Sequence, residues 1–305
     1  MRTLDYARLP SENDAFRREL GGGPPVVNIR QLDPDASPLD FYGSELRRLR
    51  EAAGLQQKQL AELMYCTASL VGQVETASKV PTRQFSEAAD AALKTDGHMC
   101  RLLGLVLRSQ LPSWFRPYAA MEAKATYIAT YQAQLVYGLL QTEEYARAVL
   151  GASGHSDNHE ELVAARLERQ QILTKDGPPL AWAVLDEAVL HREIGNKGIM
   201  RRQLEHLLSQ RQVFIQVLPF SVGQHAGLPG TFTLLRFPDD PDVVYTEDFH
   251  TGHMTANPEA VREGWLRYAR LQAAALSVED SAALIARVME ERYGKVPGSG
   301  GGNVA

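Results

Sequence analysis

The sequence is poor in cysteine, in long apolar runs and in net positive charge, and the first two shortages each exclude a class of protein. Two cysteines, Cys66 and Cys100, are too few for the disulfide framework of a secreted scaffold, and their spacing fits no zinc motif. The chain has no run of about 18 apolar residues, and its charged N-terminal segment lacks the apolar core of a signal peptide. We therefore expect a cytoplasmic protein without a membrane span.

The overall charge of the protein does not indicate a nucleic-acid partner. The formal net charge is -5, so DNA binding would need a locally basic face. A length of 305 residues with 44% hydrophobic content is enough for roughly two domains. We predict a flexible leader over 1–38, a helix-turn-helix domain over 39–110, a regulatory, partner-binding and dimerisation domain over 111–293, and a disordered tail over 294–305.

The second half of the chain mixes helical and strand patterns. The run LPSWFRPY, with two prolines and two large aromatic residues, predicts the boundary at 111–118. Helices are predicted at TEEYARAVL, ELVAARLERQQIL and MRRQLEHLLSQ, and strands at AWAVLDEAVL, VFIQVLPF, GTFTLLRF and DVVYTEDF. Two long helices follow, beginning at Asn257 and Ser277. The predicted fold class is α+β, a five-helix domain followed by a mixed α/β domain that ends in these two helices.

Residues 44–83 have the pattern of a helix-turn-helix, which needs three short helices with aliphatic inner faces and a small contact residue. The inner positions are Leu46 and Leu49 before Gly54, then Leu60, Ala61 and Leu63, then Val71 and Val74. An ordinary helical bundle with solvated polar side chains would show a similar pattern, so this alternative stays open.

The third helix of this unit carries the candidates for base recognition. Thr67 is the predicted N-cap, and Ala68, Ser69, Gly72 and Gln73 lie away from the buried valines. Gln73 can pair with adenine, Ser69 with a base edge or a phosphate, and the Ala68 methyl with thymine. Phosphate contacts are predicted at Gln57, Lys58, Lys79 and Arg83, with Arg47, Arg48 and Arg50 as secondary candidates. The net charge of this segment is only +2, which favours a dimer.

From about Leu32 to Val288 the sequence resembles actinobacterial Xre-family helix-turn-helix regulators of the WhiJ kind. The resemblance rests on LDPDASPLDFYGSELRRLREAAGL, SLVGQVETASKVPTRQF, PSWFRPY, LVYGLLQTEEYARAVL, RLERQQILT, AWAVLDEAVLHR, QVLPF and GTFTLLRFPDDPDVVYTED, in this order. It implies a lambda-repressor-like helix-turn-helix domain and a transcriptional regulator that binds double-stranded DNA. It also implies an antitoxin-like arrangement with a small partner protein, and we expect a homodimeric repressor.

Catalytic and metal-binding alternatives have weak sequence support. His159 and Glu160 are not followed by the second histidine of a zinc peptidase, and Ala226–Gly227 has no convincing Ser-Lys dyad for self-cleavage. Two polar clusters, His155, Asp157, His159 and Glu160, and Glu247, Asp248, His250 and His253, are more typical of solvated side chains than of a metal site. We expect no enzyme activity and no cofactor.

Two roles remain open for the C-terminal domain. It could dock a small partner protein, which the resemblance favours, or it could hold a small metabolite in a pocket lined by Phe220, Gly223, His225 and Phe232. The large aromatic residues Trp114, Phe115, Tyr118, Trp182 and Trp265 are expected to pack in the core or at an interface. Cys66 is expected to pack as a small hydrophobic residue rather than act as a redox switch.

Overall fold

The computed structural model describes residues 32–152, 159–248 and 251–294. Most of the predicted leader and nearly all of the predicted tail lie outside the described residues, and so do His155, Asp157 and His250 of the two polar clusters.

Five helices build the N-terminal part of the described chain, as predicted. They are α1 (Pro38–Ala52), α2 (Gln57–Leu63), α3 (Ala68–Glu75), α4 (Arg83–Leu93) and α5 (His98–Gln110). Leu60, Val71 and Val74 are fully buried among them, as expected. Leu63, however, is 54% exposed, so its placement on the inner face was wrong. Met64, one full turn after Leu60, takes the buried position instead, because residues four apart stack on one helix face.

The C-terminal part is a mixed α/β unit, which confirms the predicted fold class. Its helices are α6 (Arg116–Glu122), α7 (Glu143–Ala152), α8 (His159–Gln170), α9 (Glu187–His191), α10 (Lys197–Ser209), α11 (Pro258–Ala274) and α12 (Val278–Tyr293). Its strands are β1 (Tyr127–Gln132), β2 (Leu180–Asp186), β3 (Val213–Leu218), β4 (Phe232–Arg236), β5 (Val243–Glu247) and β6 (Gly252–Thr255). Short 3-10 turns lie at Gly138–Leu140, Gln171–Leu173 and Phe220–Val222.

Local capping explains where several of these elements begin. The Asn257 side chain accepts hydrogen bonds from the amides of Glu259 and Ala260, which starts α11 where the sequence predicted it. The predicted strand AWAVLDEAVL is correct only in its first part. Asp186 Oδ1 accepts from the Ala188 amide at 2.9 Å, and this N-cap turns the rest of the segment into α9. The sequence did not predict β6.

The six strands form one sheet in the order β3-β2-β1-β4-β5-β6. β1, β2 and β3 are parallel, whereas β4, β5 and β6 are antiparallel to their neighbours. In the register, Ala129 lies opposite Trp182 on one side and Leu234 on the other. None of the helices in the described part of the chain has the length and apolar character needed to cross a membrane.

The two faces of the sheet pack against different helices. The face with Ala129, Val184 and Leu234 packs on α11 through Tyr268 and Leu271. The opposite face joins a larger core that continues without a break into the five N-terminal helices. Helix α8 contacts α5 and also lies next to the sheet domain, so it connects the two parts of the protein.

Candidate nucleic-acid interface

Helix α3 has one buried face and one exposed face. Val71 and Val74 are completely buried, whereas Ser69 and Gln73 are exposed. Ala68 and Gly72 are only partly exposed, because Ala68 packs against the core and a Cβ atom added at Gly72 would lie 3.4 Å from Gln57 Oε1 of α2. Of the four residues predicted to face a base edge, Ser69 and Gln73 are exposed, as a helix that enters the major groove requires, whereas Ala68 and Gly72 lie nearer the packed side of α3.

The turn before α3 is held by local hydrogen bonding. Thr67 Oγ1 accepts from the Leu70 amide at 3.2 Å and caps the helix, as predicted. Tyr65 adopts a positive φ of 53° and is 98% exposed, which places its phenol in solvent just ahead of α3. A phenol hydroxyl can donate to a phosphate, so Tyr65 is a candidate that the sequence analysis missed. Its position depends on a backbone conformation that tyrosine rarely adopts.

The side chain of Gln57 points between α2 and α3. Its Nε2 donates to Glu75 Oε2 at 2.8 Å, and its Oε1 would lie 3.4 Å from a Cβ atom added at Gly72. Gln57 therefore braces the two helices with its side chain. Its backbone amide, at the first residue of α2, is the group that can still serve the predicted phosphate contact.

A buried carboxylate fixes the orientation of α3. Glu75 is fully buried, and its carboxylate accepts from Arg50 Nε at 2.5 Å and from Arg50 Nη2 at 3.0 Å. Arg47 Nη2 donates to the Glu75 backbone carbonyl at 3.1 Å. The hydrogen bond to Glu75 raises the pKa of Arg50. Two of the three α1 arginines, considered as secondary DNA contacts, thus hold α3 against α1, and the third, Arg48, pairs with Glu45 at 2.7 Å.

The predicted basic contacts differ in their availability. Lys58 and Lys79 are exposed around the α2–α3 unit. Arg83, at the start of α4, is engaged by two carboxylates, with Nε 3.1 Å from Glu87 and Nη1 3.0 Å from Glu168. Glu168 belongs to α8, so the Arg83 guanidinium links the helix-turn-helix to the C-terminal domain. A phosphate contact by Arg83 would have to compete with this link.

The remaining candidates do not assemble into a reactive site. Burial raises the pKa of the Cys66 thiol, which favours the neutral form and fits the packing role predicted for it. Within the described ranges, no group of three or more histidine, cysteine, aspartate or glutamate side chains is arranged to hold a metal ion.

The residues proposed for a metabolite pocket lie in the loop after β3 and at the start of β4. Phe220 is 58% exposed, while Phe232 is buried in the core next to α11. His225 lies against the edge of Tyr131, with its Nε2 3.7 Å from Asp186 Oδ2. The Tyr131 ring contacts both His225 and Phe232, with centroids 6.0 Å and 6.2 Å away, and so joins the loop after β3 to the sheet.

Comparison with known families locates two matches that together cover most of the described chain. A family model described as a helix-turn-helix domain matches residues 42–103. A second model, described as a domain of unknown function (DUF5753), matches residues 115–287. No curated protein and no solved structure matches the chain. The first match coincides with the helices that carry Ser69 and Gln73.

Proposed function

The chain belongs to the DUF5753 family and carries the helix-turn-helix of a DNA-binding regulator, and from this premise we propose that it is a cytoplasmic, sequence-specific repressor of transcription. The observation that carries the proposal is the exposed outer face of α3, where Ser69 and Gln73 lie on a helix braced by Glu75. We propose a role in binding rather than catalysis, with an antitoxin-like arrangement as the resemblance to WhiJ-type regulators implies.

A homodimer is part of this proposal. The helix-turn-helix segment has a small positive charge, and Arg83 is engaged by carboxylates. A single copy would neutralise few phosphates, so specific affinity would come from two copies on adjacent half-sites. Analytical ultracentrifugation of the full chain should give twice the monomer mass of 33.7 kDa. A chain that is monomeric in solution and also when bound to its operator would contradict the proposed homodimer.

Gln73→Ala is expected to reduce the preference for the operator over a scrambled duplex by about 1–3 kcal/mol, because one bidentate base contact is lost. Lys79→Ala is expected to weaken binding to both duplexes equally and to lower the slope of log K against log salt by about 1. The measurement is a salt titration of binding to the protein's own promoter region. Gln134→Ala, on an exposed residue of the C-terminal domain, is the matched control. Equal loss on both duplexes with Gln73→Ala would show that α3 does not read bases.

We further propose that the C-terminal domain docks a small partner protein through an apolar strip on the sheet. The strip consists of Leu180 and Trp182 on β2 and Phe214 on β3, which share one face of the sheet. Leu180 is 48% exposed and Phe214 41% exposed, and the Trp182 and Phe214 rings stack at 4.6 Å. Helix α11 packs on this face through β1, β3, β4 and β5, and it leaves Leu180 and Phe214 exposed and Trp182 partly buried. Exposed aromatic residues of this kind are enriched where proteins bind one another.

Phe214→Ser is expected to abolish co-purification of a small protein with the tagged full chain from its native host. Leu266→Ser, at an exposed leucine of α11 outside the strip, should leave co-purification of the small protein unchanged. The captured protein, once purified, must bind the full chain again. Its affinity for the Phe214→Ser variant must be at least tenfold lower than for the unchanged protein. Retention of the partner by Phe214→Ser would remove the strip from the proposal. Conversion of a dimer to a monomer would assign the strip to self-association.

A further inference from the structure

A cavity of about 280 Å³ lies between α8, the beginning of β4 and the end of β5. Two arginines of α8, Arg166 and Arg169, line it together with aromatic side chains that include Phe115, Tyr118 and Tyr245. Neither arginine was a candidate in the sequence analysis. Both belong to α8 of the C-terminal domain, and neither contributes to the exposed face of α3.

The charge of Arg169 is compensated within the protein. Its Nε lies 2.8 Å from Glu122 Oε2, and its guanidinium lies over the Phe115 ring with Cζ 4.9 Å from the centroid. Glu122 is fully buried, and its Oε1 accepts hydrogen bonds from the phenols of Tyr118 and Tyr137, at 2.6 Å and 2.5 Å. Burial raises the pKa of both phenols well above their ordinary value, so they remain donors.

The charge of Arg166 is not compensated in this way. Its Nη1 donates to Gln141 Oε1 at 2.8 Å, which is a neutral acceptor, and no carboxylate among the described residues forms an ion pair with it. Burial, and then the positive charge of Arg169, lowers the pKa of Arg166 to about 10. The charges of Glu247 and Glu122 act in the opposite direction but less strongly. A desolvated cation without an ionic partner is costly, unless a ligand supplies one.

The position of Arg166 is well defined. Gln141 Nε2 donates to the Val136 carbonyl at 2.7 Å, which turns the Gln141 oxygen toward Arg166. The guanidinium is therefore held at the wall of the cavity before any ligand arrives. A preorganised donor of this kind loses little conformational freedom on binding.

We propose that this space, named here the Arg166 cavity, binds a small organic monocarboxylate with an apolar or aromatic body. A guanidinium and a carboxylate match in charge and in bidentate geometry. One uncompensated cation fits one negative charge, whereas a phosphate would bring a second charge next to Glu247. Val149, Leu150 and Phe115 offer apolar contacts for the body of the ligand. A volume of about 280 Å³ lies at the lower end of ligand pockets, which run about 300–1,000 Å³, so the ligand is small.

Helix α8 also connects the Arg166 cavity to the DNA-binding domain. Arg166 and Glu168 are two residues apart and so point to different sides of the helix. Glu168 accepts from Arg83 Nη1 at 3.0 Å, and a groove of about 540 Å³ separates α7 and α8 from residues 79–84. A carboxylate that shifts α8 would alter this contact and change the affinity for DNA. This regulatory step rests on the proposed function, whereas binding of the carboxylate does not.

The test is calorimetric titration of the full chain with benzoate, phenylacetate and hexanoate, each compared with its neutral amide. We expect saturable binding of at least one carboxylate, no binding of its amide, and at least a tenfold loss of affinity for Arg166→Gln. Arg270→Gln, at an exposed arginine of α11, should bind like the unchanged protein. If no carboxylate binds better than its amide, or if Arg166→Gln binds equally well, the proposal is overturned.

A second measurement separates ligand binding from a structural role. Because the partly buried guanidinium has no ionic partner among the described residues, Arg166→Gln should have the same Tm as the unchanged protein or a higher one in the absence of ligand. A Tm that falls by several degrees would assign Arg166 to the core and would contradict the proposal. The DNA titration is then repeated with saturating carboxylate, and a shift in Kd that Arg166→Gln does not show supports the regulatory step. Failure to bind DNA would count against the proposed function and leave the calorimetric result intact.

Discussion

Glu75→Ala is expected to lower the free energy of unfolding of the helix-turn-helix domain by about 3–5 kcal/mol, because it leaves a buried guanidinium without its partner. The Glu75 side chain is fully buried, and that of Arg50 is 9% exposed. The substitution also removes the acceptor for Gln57 Nε2. Since the same contacts hold α3 against α1 and α2, we expect specific DNA binding to be lost together with stability.

Urea unfolding followed by circular dichroism checks this expectation. Glu62→Ala, which changes an exposed glutamate of α2, is the control and should stay within about 0.5 kcal/mol of the unchanged protein. The double variant Arg50→Met, Glu75→Leu should be less destabilised than Glu75→Ala, because apolar residues of similar size avoid the uncompensated charge. A loss below about 1 kcal/mol for Glu75→Ala would mean that water replaces the carboxylate at little cost.

Glu122→Gln is expected to destabilise the C-terminal domain by about 3–5 kcal/mol, since it removes the charge that balances Arg169. The amide can still accept from Tyr118 or Tyr137, so the loss reports the ion pair rather than the phenol hydrogen bonds. The Arg169 guanidinium would then lack its carboxylate partner and would lie near the guanidinium of Arg166. The measurement is the free energy of unfolding in guanidinium chloride, monitored by tryptophan fluorescence.

Glu168→Gln is the matched control for the Glu122 substitution. It also removes one carboxylate from an arginine, but Arg83 and Glu168 are only partly buried, with 45% and 23% of their side chains exposed. Exposed ion pairs contribute about 0–1 kcal/mol, so the control should unfold close to the unchanged protein. Equal effects of the two substitutions would show that burial of Glu122 does not strengthen its pair.

Elements that depend on neighbouring residues were predictable from the sequence. The five N-terminal helices, the caps at Thr67 and Asn257 and the two long C-terminal helices all follow from apolar spacing and local side-chain hydrogen bonds. The errors were also local. Leu63 fitted the period of α2, but Met64 fills the core, and the Asp186 cap ended a predicted strand early.

The sequence by itself determined the helix-turn-helix, the α+β order of elements and the outward position of Ser69 and Gln73 on α3, because each depends on periodicity within a few turns of chain. Tertiary structure alone decided how the charges are paired. Arg50 and Glu75 are 25 residues apart, and Glu122 and Arg169 come from different helices of the C-terminal domain. A buried charge selects its partner by distance in space and by exclusion of water, neither of which periodicity records. For the same reason, only the folded chain reveals that Gln57 and Arg83 are engaged by carboxylates and that Arg166 pairs with no carboxylate among the described residues.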